Sequence, residues 1–166
     1  MAPSQQDGFL SLPISVIDKI DVGRLMREAQ AIDTFLNEAA VRQPGAPMKL
    51  PRTSRLLDDT VVLNKLNMLQ ATDRGRLISF LKEVYTSAPT LHVSFSADPS
   101  PMFTQKLTQW LRQELHPLVL LQIGKQPNMG AGCVVRTTNK YFDFSLRNRF
   151  AERHDLLIAK LKGAGL

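Results

Sequence analysis

The spacing of apolar residues first changes between Val84 and Leu91. Before that point apolar side chains recur every three or four residues, the period of a helix buried along one face. After it, Leu91, Val93 and Phe95 alternate with His92, Ser94 and Ser96, the period of a half-buried strand. The expected fold is therefore α+β. A helical N-terminal domain over residues 1–88 precedes a small α+β domain over residues 89–166.

In the first half, Asp21 is the expected N-cap of a helix buried through Val22, Leu25, Ala29, Ile32, Leu36 and Ala39. Arg24, Arg27, Glu28, Asp33 and Asn37 fall mostly on its other face. Pro13 is placed to open a short turn before it. The helix should end before Pro44-Gly45, where Pro44, Pro47 and Pro51 forbid a regular element and make a connector. Ser54 then caps a helix carrying Leu57, Val61 or Val62, Leu66 and Leu69. Asp73 caps another that buries Leu77, Phe80, Leu81 and Val84, with Arg74, Arg76 and Lys82 outside, and Pro89 closes it.

In the second half, Asp98-Pro99-Ser100-Pro101 starts a helix with Phe103, Leu107, Trp110 or Leu111 and Leu115 on one face. Leu118 to Ile123 follows as a strand apolar enough to be central in its sheet. Gly124 to Gly132 is a loop, and Cys133-Val134-Val135 and Tyr141-Phe142 are the arms of a hairpin. Ser145 caps a last helix with Leu146, Phe150, Leu157, Ile158 and Leu161, ending at Gly163. The order is strand, helix, strand, hairpin, helix.

The 166 residues include 43% hydrophobic and 22% charged residues, enough to pack a core in either half. The net charge of +6 suits nucleic acid, an acidic protein or an anionic membrane surface. No run of five or six like charges makes a basic tail. The longest strongly apolar run, Leu118 to Ile123, is too short to cross a bilayer. A soluble, cytoplasmic protein is expected, reaching a membrane only through a partner. The lone Cys133 permits no internal disulfide and no multi-cysteine zinc site, and reads as a small buried hydrophobe. His92, His116 and His154 are scattered, so no metal site and no cofactor are expected. Gly124 to Gly130 lacks the Gly-Lys-Ser/Thr ending of a phosphate loop.

The stretch Gln126-Pro127-Asn128-Met129-Gly130-Ala131-Gly132-Cys133-Val134-Val135-Arg136 resembles the hallmark of the F-type ATP synthase delta subunit, the oligomycin-sensitivity-conferring subunit of mitochondria. In that family an Asp-Pro-Ser-Leu-Ile-Gly-Gly stretch leads into an apolar strand and a basic residue. A turn follows, then a hydrophobic residue, Asp, any residue, Ser, a hydrophobic residue and finally a basic–apolar pair. The continuation Asn139-Lys140-Tyr141-Phe142-Asp143-Phe144-Ser145-Leu146-Arg147-Asn148-Arg149-Phe150 is similar to it. Gln126, Ala131, Cys133 and Thr138 depart from the family's usual residues, and the first half is shorter than its helical bundle.

The resemblance implies a non-catalytic peripheral-stalk subunit with no catalytic residue. Its C-terminal domain would bind the b-type stalk subunit, and its N-terminal part the alpha and beta subunits of the catalytic head. Pro127, Gly130, Gly132, Val134, Arg136, Asp143, Ser145, Leu146 and Arg149 are then structural motif residues. Phe150, Arg153, Leu157, Lys160 and Leu161 are candidates for partner contact, with Arg147 and Lys162 adding to a basic helix face. Two rival readings stand beside this one. An E-like stalk subunit of a V- or A-type ATPase would need a long uninterrupted N-terminal helix, against the proline connector. A basic RNA-binding module would recruit Phe95, Tyr141 and Phe142, with no accompanying signature, so no nucleic-acid partner is expected.

Overall fold

A computed structural model describes residues 9–42, 49–137 and 139–163; the side chains of Leu157 and Leu161 lie outside that description. Most of the proline connector and Thr138 also lie outside it. The N-terminal part is helical, with α1 (Lys19–Arg42), α2 (Arg55–Leu63) and α3 (Ala71–Ser87). Then come β1 (Thr90–Phe95), α4 (Pro101–Glu114), β2 (Leu120–Lys125), β3 (Cys133–Arg136), β4 (Tyr141–Asp143), α5 (Leu146–Glu152) and α6 (His154–Gly163). A helical region followed by a small mixed sheet with helices is the α+β fold read from the change of period. No helix among the described residues is long and apolar enough to cross a membrane.

Helix α1 starts two residues before the expected cap. Asp18 Oδ1 accepts the Asp21 N–H at 2.8 Å, and the Asp21 carboxylate turns back to the Ile17 N–H at 3.0 Å. The Asp18 carboxylate thus satisfies an N–H that the first turn leaves without an intrahelical partner, and Asp21 reciprocally fixes the chain entering the helix. Ser54 caps α2, accepting the Leu57 N–H at 3.2 Å. That helix stops at Leu63, short of Leu66 and Leu69. Lys65 adopts φ +52°, Lys65 N–H bonds to Val62 O and Leu66 N–H to Val61 O. This is a Schellman ending with lysine where glycine is usual.

Helix α3 also begins earlier than expected. Asp73 is in its first turn rather than at the cap, and its buried carboxylate accepts the Asn67 N–H at 2.8 Å. Arg74, expected outside, is buried at 3% exposure. Its guanidinium meets Asp33 at 2.7 Å, Asn37 at 3.0 Å and the Met68 and Leu69 carbonyls at 3.1 and 3.0 Å. A charge is tolerated there because each of its three nitrogens finds an acceptor, one of them the Asp33 carboxylate. Around this network Leu25, Leu36, Leu57, Leu77 and Leu81 are fully buried.

The sheet order is β2-β1-β3-β4, with β1 and β2 parallel and the other pairs antiparallel. Strand β2 is therefore an edge strand, not a central one. Its apolarity has another cause. Leu120 packs into the helical core while Leu121 packs with Leu91, Val93 and Leu111 in the core between sheet and α4. Both faces of β2 are covered at that point. Helix α4, capped by Ser100, crosses from β1 to β2 and seats Leu111 on the sheet. Thr104 and Thr108 are buried beside it, whereas Phe103, Trp110 and Leu115 of the expected apolar face remain exposed. Arg112 fastens the N-terminal segment to this unit. Its guanidinium donates to the carbonyls of Val119, Pro13 and Val16 at 3.2, 2.9 and 2.6 Å. Burial draws that group down to about 10, still charged at neutral pH.

Candidate docking surface

The two halves of the motif, ten residues or so apart in sequence, are joined in space. Gly130 and Gly132 have φ of +72° and +102°, the left-handed region that glycine enters without steric cost. A Cβ on Gly132 would lie 2.5 Å from the Phe144 carbonyl oxygen and 2.8 Å from Ser145 Cα, so no larger residue fits. The Ala131 carbonyl accepts the Leu146 N–H and the Cys133 carbonyl accepts the Phe144 N–H, each at 2.9 Å. The glycine loop is thereby stapled to the start of α5.

Ser145 is buried and caps α5, taking the Asn148 N–H at 3.3 Å. Asp143 braces the cap by accepting the Ser145 N–H at 2.8 Å. Hydrogen bonds from Ser145 lower the Asp143 carboxyl, with Arg147 adding a coulombic pull. Val134 is buried in β3, while Pro127 opens a short 3-10 turn over Pro127–Met129. Cys133 is half-buried, and burial raises its thiol, as befits a packing residue. Arg136 ends β3 and lies exposed on the side of the sheet away from α4. Leu146 and Arg149 are exposed on α5.

The single last helix is in fact two. Arg153, with φ −114° and ψ +21°, separates α5 from α6. The apolar stripe that would carry a helix across falls, one turn after Phe150, on Arg153 and His154. No buried side chain holds the helix straight there. Of the partner-contact candidates, Phe150, Arg153 and Lys160 are exposed; the side chains of Leu157 and Leu161 lie outside the described residues.

Next to this staple is an apolar groove of about 200 Å³ between α4 and the sheet, lined by Leu91, Val93, Phe95, Phe103, Leu107, Trp110, Leu111, Cys133, Val135 and Phe144. Phe95 and Phe103 meet edge to face within it, centroids 5.8 Å apart. Phe144 at its mouth stacks on Phe142 at 6.2 Å, and Leu146 and Phe150 continue along α5. Trp110 and Phe150 keep about half their surface in solvent, at 55% and 51%. Trp110 and Phe144 line the groove and Phe142 stacks beside it, so aromatic surface lies in solvent at this place. Phe144 was not singled out by sequence pattern, and Phe142 only as part of the hairpin and as a ring for nucleic acid. Their signal was an aromatic pair at i, i+2 running off the end of β4, which sends both to one face. No family model matches the chain, and no curated protein matches its sequence.

Proposed function

We propose that this protein is a non-catalytic stator subunit of a proton-translocating F-type ATP synthase. Its C-terminal sheet and helices hold the end of the long b-type stalk helix. Its N-terminal helices contact the alpha and beta subunits of the catalytic head, so that the complex sits at the membrane without this chain entering it. The observation that carries the reading is the exposed apolar surface of Trp110 on α4 and of Phe142, Phe144, Leu146 and Phe150 at the glycine-loop staple and α5.

A stator resists torque, which calls for an apolar contact of some length with a charged rim rather than a reactive centre. The groove beside α4 suits the apolar face of an amphipathic helix. The exposed Arg147, Arg149, Arg153, Lys160 and Lys162 suit an acidic stretch beside that face. The E-like alternative is not favoured, because the longest described helix, α1, has 24 residues and spans only about 36 Å.

The test is co-purification of the full chain with the stalk and catalytic-head subunits encoded in the same genome. Capture of the stalk subunit, lost on Trp110→Ala or Phe150→Ala, is the expected outcome. Absence of any interaction with either partner would end the proposal.

A further inference from the structure

Helix α4 covers one face of the sheet, and the helical bundle reaches the other only around Leu120. Apart from Val134, which is buried, the rest of that second face is open to solvent. Strand register places Gln122, His92, Arg136 and Tyr141 in one row across all four strands. Residues paired directly across neighbouring strands project to the same side, and all four are exposed. At about 4.8 Å per strand the row is about 14 Å long.

His92, Arg136 and Tyr141 line a cleft of about 960 Å³, walled on its helical side by Lys19 at the start of α1. The Lys19 ammonium sits 5.5 Å from the centre of the Tyr85 ring. Ser94 and Thr137 add hydroxyl groups, and no described residue lining the cleft is acidic. The cleft thus combines two cations, two exposed rings with Arg136 between them, and a surface of hydrogen-bonding groups.

We propose that this open face binds single-stranded nucleic acid. The Tyr141 and His92 rings stack on bases while Arg136 and Lys19 hold phosphates. Four-stranded sheets that read RNA stack two or three bases on rings placed in this manner. An acidic peptide would engage the two cations but leave the rings without a role. The site is new relative to the sequence pattern, which grouped Tyr141 with Phe95 and Phe142. Register separates them, because Phe142 pairs with Val135 and Phe95 with Cys133 on the α4 side. The docking surface and the nucleic-acid face lie on opposite sides of the sheet, so either proposal can fail alone.

The measurement is fluorescence anisotropy of labelled oligo(U) of about eight nucleotides, a length within the usual single-strand site size, titrated with the full chain. Saturable binding is expected, weakened about tenfold by Tyr141→Ala, the scale of one lost base stack. Arg136→Ala should weaken it as well and reduce the slope of log affinity against log salt by about 0.7. Arg52→Ala, which removes an exposed cation away from the cleft, should change nothing beyond that general charge. A parallel oligo(dT) titration shows whether ribose is read, and saturable binding of either strand supports the site. No saturable binding, equal losses from Arg52→Ala and Arg136→Ala, or displacement by polyglutamate as effective as by unlabelled oligonucleotide would overturn it. Both cleft variants change exposed side chains and should retain capture of the stalk subunit.

Discussion

The helical part and the sheet part of this protein use apolar residues differently. The helical part has the larger sealed core, in which Leu25, Leu57, Leu77 and Leu81 have no exposed surface, although Ile20, Val62 and Leu63 on its outside stay in solvent. Even a guanidinium there is enclosed and satisfied, through Arg74 and its partners on α1 and the α2–α3 link. In the sheet part the buried cluster is small, and much of the aromatic surface is outside it. The first part holds its shape through its own packing. The second presents surface on a frame held by backbone hydrogen bonds, the Gly132 close approach and the Ser145 cap. If the exposed surface serves recognition as proposed, stability and recognition fall on different residues, and substitutions should separate them.

The largest expected effect tests that separation directly. Leu77→Ala should cost about 3 kcal/mol of stability, the usual range for truncating a sealed leucine. Phe150→Ala should cost less than about 1 kcal/mol, because half its surface is already in water. Chemical denaturation of the two variants checks this, and equal losses would erase the contrast. Next, Gly132→Ala should cost about 2 kcal/mol or more, since it places a Cβ against the Phe144 carbonyl at a positive φ. Hydrogen exchange should show that loss at the Leu146 amide first, before the helical core loosens.

A smaller gain is expected from Lys65→Gly. A non-glycine residue in the left-handed region costs about 1 kcal/mol, so thermal unfolding should shift upward by a few degrees. The smallest effect concerns acid. The folded Asp143 carboxyl lies below its ordinary 3.8, so the unfolded chain takes the proton first as pH falls. The contribution of this group is complete above 3.8 and is lost as pH drops through the lowered folded value. Asp143→Asn should remove that portion of the acid limb, measured as the pH dependence of unfolding. An unchanged limb would show that the brace on the α5 cap is idle.

What was legible in the residues was mostly local. Ser54, Ser100 and Ser145 were readable as caps or helix starts because a cap and the N–H it serves are three residues apart. The alternation around Val93 and the hairpin arms were readable for the same reason. What escaped was set by distant partners. Arg74 looks like a surface residue until Asp33, 41 positions away, comes beside it. Strand β2 looks central because two separate cores, one in each half, claim its two faces. The sorting of Tyr141 from Phe142 depends on pairing with β3, which single-strand periodicity does not contain.

The arrangement at the outer edge of β2 has one more result. The Ile17 carbonyl already accepts the Leu121 N–H at 2.8 Å, and Arg112 keeps residues 12–16 pinned nearby. An apolar edge strand is ordinarily a template on which another chain can add, and so a route to fibres. Here Ile17 of the chain itself takes the Leu121 position on that edge, and the opposite edge, β4, is only three residues long. The protein therefore leaves aromatic surface in solvent while shortening both of the edges on which a stray strand could begin.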